Sequence, residues 1–146
     1  MRDCFFKQLT IAAEKNKNIF LIVADIGFGV VDEFKKTNPN QFINVGVAEQ
    51  NMIGVATGLA LSGKKVFCYS IGNFPTLRCL EQIRNDVCYH NLDIKIVTVG
   101  GGYSYGSLGY SHHALEDIGI MRCLPNVKVF VPSSDFETLK ITNFLM

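Results

Sequence analysis

The sequence lacks the charge imbalance and the long apolar run that mark several functional classes. Its 146 residues hold 14 Lys and Arg against 13 Asp and Glu, a formal net charge of +1, and no basic run occurs. This balance removes the electrostatic case for a nucleic-acid partner. No window of about 18 uninterrupted apolar residues exists, so we predict no membrane span. Charged residues interrupt the N-terminus before any apolar core, so we predict no signal peptide.

The sequence also lacks any Cys-x-x-Cys pair, and its cysteine count is odd. The five cysteines are Cys4, Cys68, Cys79, Cys88 and Cys123. This pattern predicts neither a disulfide framework nor a thiolate metal site. We therefore expect reduced, mostly buried thiols and a cytoplasmic location.

Apolar runs alternate with helical patterns along the chain, and hydrophobic residues make up 48% of it. We predict strands at 19–24, 65–69, 94–99 and 127–131. We predict helices at 3–16, 48–62, 75–90, 114–123 and 135–145, the last capped by Ser134. Residues 28–41 are polar and read as irregular. The alternation predicts a single α/β domain over residues 1–146, with a mainly parallel sheet. Because the chain stops within a predicted helix, we expect the domain to be truncated before a further C-terminal domain.

One acid lies in an otherwise small and apolar stretch, NVGVAEQNMIGVA, which contains Glu49. A glutamate in the first turn of a helix interacts favourably with the positive helix end, and this is the ordinary interpretation. The predicted helix is rich in Gly and Ala, however, which indicates close packing. Parallel sheets bind ligands at the carboxyl ends of their strands, and a carboxyl group buried near such a crevice is a candidate for proton chemistry.

Three sequence blocks follow one another in a specific order. They read NVGVAEQNMIGVATGLALSG, FPTLRCLEQIRND and GYSHHALEDIGIMRCLPNVKVFVPS. Together they resemble the pyrimidine-binding domain of the transketolase family of thiamine-diphosphate enzymes, roughly from Val23 to Ser134. The likeness is best to the form of the enzyme that is split into two chains, of which this would be the second. The resemblance implies a three-layer α/β/α fold and thiamine diphosphate as cofactor.

The resemblance implies roles for three residues near the cofactor. The glutamate that matches Glu49 hydrogen-bonds a ring nitrogen of the aminopyrimidine and so promotes loss of the thiazolium proton. Phe74 matches an aromatic residue that packs against the pyrimidine ring, although plain core packing would also explain an aromatic there. Asp25 matches an acidic position near the thiazolium, although a turn or cap role would also explain it.

Two adjacent histidines occupy the third block. His112 matches the family histidine that faces the substrate, where it could donate to a developing alkoxide or move a proton. An ordinary loop histidine is the alternative. His113 replaces the usual glutamine, so its role is open. Neighbouring histidines rarely chelate a metal together without further ligands, and no metal site is predicted.

The glycine-rich loop Gly100–Gly109 departs from both nucleotide-binding and transketolase patterns. It lacks Gly-x-Gly-x-x-Gly and the Gly-Lys-Ser/Thr ending, so we expect mobile or tightly turned backbone beside a site and no phosphate cradle. Transketolases carry Gly-Glu-Asp-Gly where this chain has Gly-Ser-Leu-Gly, and Leu108 cannot accept a hydrogen bond from a sugar hydroxyl. A further family histidine appears here as Val99 or a glycine. Cofactor activation thus looks retained, whereas the sugar-phosphate donor is expected to be modified or more apolar.

The chain contains no Gly-Asp-Gly, the motif with which the family holds the diphosphate and Mg²⁺. The resemblance therefore implies a partner domain or subunit that binds this half of the cofactor, in a homodimer or heterotetramer. We expect transfer of a two-carbon ketol unit, and no activity without the partner.

Two alternative functions stay open, one catalytic and one non-catalytic. The chain could be the beta subunit of a 2-oxo-acid dehydrogenase, or a non-catalytic domain that kept the fold for assembly. A plain nucleotide-binding α/β module has only the fold in its favour.

Overall fold

The protein, described over residues 1–146 by a computed structural model, is built on one parallel sheet. Four strands form it: β1 Ile19–Val23, β2 Phe42–Asn44, β3 Lys65–Ile71 and β4 Ile94–Val99. Their order across the sheet is β2-β1-β3-β4, and every pair is parallel. The predicted α/β class with a mainly parallel sheet is confirmed.

Six α-helices connect or cover the strands. They are α1 Arg2–Lys15, α2 Asp32–Thr37, α3 Glu49–Leu61, α4 Leu80–Gln82, α5 Asp117–Arg122 and α6 Asp135–Leu145. Helix α4 continues directly as a π-helix over Ile83–Cys88. Short 3₁₀ turns lie at Pro39–Gln41, Gly106–Leu108 and Tyr110–His112. No helix has the length and apolar character that crossing a membrane would need.

Helices cover both faces of the sheet, so the fold has three layers. Successive side chains of a strand point to opposite faces. On one face, Leu21 of β1 lies in the same buried cluster as Leu9 of α1 and Phe34 of α2. On the other face, Ile22 of β1 lies in a cluster with Met52 of α3. The two clusters are the hydrophobic core, and they confirm the predicted α/β/α arrangement.

The predicted strand at 127–131 does not form. This segment forms no ladder to β4, which leaves β4 at the edge of the sheet. Val127 packs partly against the core, whereas Val129, Phe130 and Val131 are exposed. The apolar pattern is typical of a buried strand, but here no neighbouring strand pairs with it, and the Phe130 ring instead lies 6.0 Å, between centroids, from the ring of Phe144 in α6.

Three other predicted segments are corrected by the structure. Residues 28–41 are not irregular throughout, because α2 lies within them, and the short strand β2 follows them unpredicted. The helix predicted at 75–90 begins only at Leu80, and turns fill residues 73–79. In that turn Thr76 donates its hydroxyl to the Gly72 carbonyl at 2.6 Å. The helix predicted at 114–123 is confined to α5.

Two predicted helix ends are confirmed in detail. Gly63 follows α3 with a φ of +86°, a left-handed conformation that glycine adopts without strain. Ser134 caps α6, since its hydroxyl accepts a hydrogen bond from the Glu137 N–H at 3.2 Å. The Glu137 carboxylate in turn accepts from the backbone N–H and hydroxyl of Ser133, which lowers the pKa of Glu137.

Candidate functional site

The candidate site lies at the carboxyl ends of the strands, beside the point where the strand order reverses. From β1 the chain passes to β2 on one side, and then crosses to β3 on the other. In open α/β sheets such a switch point leaves a crevice outside the carboxyl ends of the strands. Asp25 follows β1, α3 begins after β2, and Gly72 to Phe74 follow β3. The topology therefore gathers the loops that carry the predicted site residues.

Glu49 is the first residue of α3 and is buried, with 3% of its side chain exposed. Arg78 donates from Nη1 to Glu49 Oε2 at 2.6 Å, and this is the only hydrogen bond that the chain gives the carboxylate. The helix N-terminus adds a favourable field for a negative charge. Removing a charge from water costs free energy, and an ion pair offsets part of that cost. The ion pair with Arg78 therefore compensates for the burial of the Glu49 carboxylate.

Phe74 and His112 extend this pair into a larger group. The Arg78 guanidinium lies over the Phe74 ring, 4.6 Å from its centroid. The His112 ring meets Phe74 edge-to-face at 5.2 Å between centroids. We call these four residues, Glu49, Arg78, Phe74 and His112, the acid–aromatic cluster. Three of the four residues predicted to form the site are thus joined by contacts.

Sequence reasoning missed Arg78, although a signal for it was present. A buried carboxylate demands a cation, and Arg78 lies four residues after Phe74 in the second motif block. That spacing puts two side chains on one face of a helical turn. The pairing with Glu49 could not be read from spacing, because it depends on the turn at 73–79 that replaces the predicted helix.

Asp25 makes no hydrogen bond or ion pair with the acid–aromatic cluster. It is exposed and has a φ of +53°. Its N–H donates to Asn44 Oδ1 at 3.0 Å, and Asn44 Nδ2 donates to Asp25 Oδ1 at 3.2 Å. These bonds fasten the end of β1 to the end of β2. They describe a turn residue, while its role toward a cofactor stays a prediction.

The glycine-rich loop is tied down at the same end of the sheet. Gly102 and Ala114 form an antiparallel bridge with backbone hydrogen bonds of 2.8 and 3.0 Å. Asn73 Nδ2 donates to the His113 carbonyl, which connects the loop to the residue before Phe74. The His113 ring packs edge-to-face on Tyr103 at 5.0 Å. His113 therefore has a structural role in holding the loop. Leu108 is 55% exposed in this loop.

The thiol of Cys79 lies next to Glu49 in an environment from which water is excluded. Cys79 is fully buried and directs its Sγ–H to the Phe74 carbonyl at 3.2 Å. Burial and, to a smaller extent, the nearby Glu49 carboxylate raise the pKa of this thiol to about 11, although Arg78 opposes the shift. The thiol is thus neutral near pH 7 and is no nucleophile. All five cysteines are free, and no group of three or more His, Cys, Asp or Glu side chains could hold a metal ion.

Gly72, the residue after β3, packs closely against Ala114, which follows the glycine-rich loop. A methyl group on Gly72 would lie 2.4 Å from the Cβ of buried Ala114. We predict that Gly72→Ala lowers the free energy of unfolding by about 1–3 kcal/mol, the usual cost of overpacking. Urea unfolding of the chain measures it. Gly101→Ala is the matched control, since no atom lies within 4 Å of the added methyl group. Equal stability of the two variants would contradict a tight contact.

The sequence matches the family described as transketolase, pyrimidine binding domain, over residues 1–144. The chain therefore belongs to the transketolase family and represents its pyrimidine-binding domain. The resemblance drawn from the three motif blocks is confirmed.

Relatives from split enzymes are among the most similar proteins. The chain is 37% identical to one of the subunits of the apulose-4-phosphate transketolase of Phocaeicola vulgatus over 146 residues, or 99% of this chain and 47% of the relative. It is 42% identical to a putative transketolase C-terminal section of Methanocaldococcus jannaschii, over 97% of this chain and 45% of the relative. The chain thus spans about half the length of the curated relatives it matches.

A solved structure described as a split gene transketolase, inactive β4 tetramer, has the same fold. Its TM-score is 0.86 at 36% identity, and the match covers 99% of this chain and 46% of that one. This solved structure is thus, like the relatives named above, a transketolase chain, and it supports both the fold and the family of this protein.

Proposed function

We propose that this chain supplies the pyrimidine-binding half of a thiamine-diphosphate site in a transketolase-like enzyme that transfers a two-carbon ketol unit. The observation that carries the proposal is the acid–aromatic cluster at the carboxyl edge of the sheet, in a chain of this family. Bound thiamine diphosphate would supply a carbon nucleophile for the donor carbonyl and an electron sink for the bond that breaks.

The residues present fit the aminopyrimidine part of that cofactor. An aminopyrimidine offers ring nitrogens, an amino group and a flat π-face. The cluster offers a buried carboxyl group on Glu49 and the ring of Phe74, and both contact one planar N–H group, the Arg78 guanidinium. Glu49 and Phe74 can therefore hold a flat, nitrogen-bearing group between the carboxylate and the aromatic ring. In this proposal Glu49 shares a proton with a ring nitrogen, and Phe74 packs against the ring.

His112 is proposed as the substrate-facing group. Ser111 Oγ lies 3.0 Å from His112 Nδ1, which leaves Nε2 as the nitrogen available to a ligand. From that atom His112 would donate to the oxygen of the donor that gains negative charge. Asp25 is proposed to lie near the thiazolium end of the cofactor, held by its bonds to Asn44.

The diphosphate and its Mg²⁺ are proposed to be held by a partner domain or subunit, since this chain has no Gly-Asp-Gly. The homodimer or heterotetramer and the cytoplasmic location belong to the same proposal. That a related solved β4 tetramer is described as inactive supports inactivity of this chain alone.

The donor is proposed to be a modified ketose phosphate. Leu108 replaces an aspartate of the transketolase motif, and an alkyl side chain gives no hydrogen bond to a sugar hydroxyl. The name of the relative from Phocaeicola vulgatus, which specifies apulose 4-phosphate, agrees with a donor other than the common sugar phosphates.

The proposed function is tested by mixing this chain with the protein that carries Gly-Asp-Gly and is encoded beside it. Thiamine diphosphate and Mg²⁺ are titrated, and exchange of the thiazolium proton into deuterated water is followed by NMR. Fast exchange that needs both chains is the expected result. Absence of cofactor binding with such a partner would contradict the function, and exchange by this chain alone would contradict the need for a partner.

A further inference from the structure

Arg78 contacts both of the residues, Glu49 and Phe74, that the proposed function assigns to binding the aminopyrimidine. Its Nη1 is bonded to the Glu49 carboxylate at 2.6 Å, and its guanidinium lies 4.6 Å from the centroid of the Phe74 ring. A guanidinium is planar, donates N–H groups in its plane and stacks on aromatic faces. These are the same contacts that a flat, nitrogen-bearing heterocycle would make with a carboxyl group and an aromatic ring.

The Arg78 side chain can leave the cluster without unfolding its surroundings. It is 47% exposed, whereas the Glu49 side chain is only 3% exposed. The Arg78 N–H donates to the Asn73 carbonyl at 3.2 Å, and the next residue, Cys79, is fully buried. The backbone is thus anchored on both sides of a side chain that borders solvent. Rotation of that side chain would transfer its charge to water, where it is solvated.

We propose that Arg78 is a latch, a side chain that fills the aminopyrimidine site of the free chain and is displaced when the cofactor binds. This inference rests on the proposed function. It assigns Arg78 a role opposite to that of a permanent cofactor contact. The latch keeps Glu49 paired and Phe74 covered until a heterocycle takes over both contacts.

The latch lowers the affinity of the free chain for the heterocycle. When a binding-competent state is only partly populated, the apparent dissociation constant rises in inverse proportion to that population. Removal of the Arg78 side chain should therefore tighten binding, although it removes a polar group from the site. A permanent contact predicts the reverse, weaker binding after the same change.

The test uses the 146-residue chain labelled with ¹⁵N and a neutral probe, the hydroxymethyl aminopyrimidine that corresponds to one half of thiamine. This probe carries no phosphate, so it needs no partner chain, and NMR shift titration measures even weak binding. Arg78→Ala is expected to bind the probe on the order of 10-fold more tightly than wild type. Arg84→Ala is the matched control, because Arg84 is bonded to Asn85 outside the cluster and its loss changes the net charge equally.

A double variant separates the latch from the proposed function. With Arg78→Ala as background, Glu49→Gln should reverse the gain, because the carboxyl group then no longer shares a proton with the ring. Unchanged or weaker binding by Arg78→Ala overturns the latch. If the double variant binds as tightly as Arg78→Ala, then Glu49 does not hold the ring, and the proposed function itself fails.

A measurement on the wild-type chain covers the case in which Arg78→Ala does not fold. The Arg78 side-chain Nε–H signal should move to the position of a solvated arginine as the probe saturates the site. Higher salt should also tighten binding of the neutral probe, because salt screens the half-exposed ion pair. A signal that does not move at saturation overturns the latch.

Discussion

Glu49→Gln is expected to slow thiazolium proton exchange in the assembled enzyme by a factor on the order of 10²–10⁴, the usual contribution of a positioned acid or base. Glutamine has nearly the same size and can still form a hydrogen bond, but it cannot exchange a proton with a ring nitrogen. NMR exchange rates in deuterated water measure the effect at saturating thiamine diphosphate and Mg²⁺.

The fold should survive this substitution, so that the loss is one of chemistry. Arg78 loses its charged partner, but its side chain is 47% exposed and water can solvate it. Glu14→Gln is the control, since the same change is made on the exposed side of α1. Exchange by Glu49→Gln at the wild-type rate would remove Glu49 from the proposed mechanism.

Phe34→Ala is expected to lower the free energy of unfolding by about 3–5 kcal/mol, the range for large-to-alanine changes in cores. Phe34 is fully buried in the cluster between α1, α2 and the sheet. Its loss removes both apolar burial and the contacts that its ring makes with neighbours. Since small domains are stable by only about 5–15 kcal/mol, the variant should be close to unfolding at 37 °C.

Urea unfolding gives the comparison for this core prediction. Phe28→Ala is the matched control, because Phe28 is 80% exposed and six residues earlier in the same connection. Its effect should stay within about 0.5 kcal/mol, as for other surface substitutions. The midpoint should fall for Phe34→Ala with an unchanged slope. Similar midpoints for the two variants would mean that the β1–α2 connection contributes little to the core.

The central strands could be predicted from the sequence because their pattern and their environment agree. The run at 19–23 is apolar throughout, and the strand β1 is covered by helices on both faces. The run at 127–131 looks similar but stays unpaired, since residue types do not reveal whether a neighbouring strand accepts its hydrogen bonds. Strand β2 has only three residues, too few for a periodic signal.

The candidate site was predictable in its residues more than in its contacts. The small-residue pattern around Glu49 indicated a buried acid, and the structure buries it. The motif blocks supplied Phe74 and His112, which the fold brings into contact. Arg78 could not be paired with Glu49 from sequence, because the two lie in different elements and meet only through the turn at 73–79. The bonds between Asp25 and Asn44 likewise need the register of β1 and β2.

The parallel order of the sheet has a consequence for synthesis on the ribosome. Ile19 of β1 pairs with Lys65 of β3, so the central hydrogen bonds of the sheet join distant parts of the chain. At a translation rate of about 5–20 residues per second, the roughly 45 residues between them take about 2–9 seconds to appear. During that interval the apolar run of β1 has only the short edge strand β2 to pair with. The nascent chain therefore presents one of its most hydrophobic segments before its main partner exists, which is the situation that chaperones recognise.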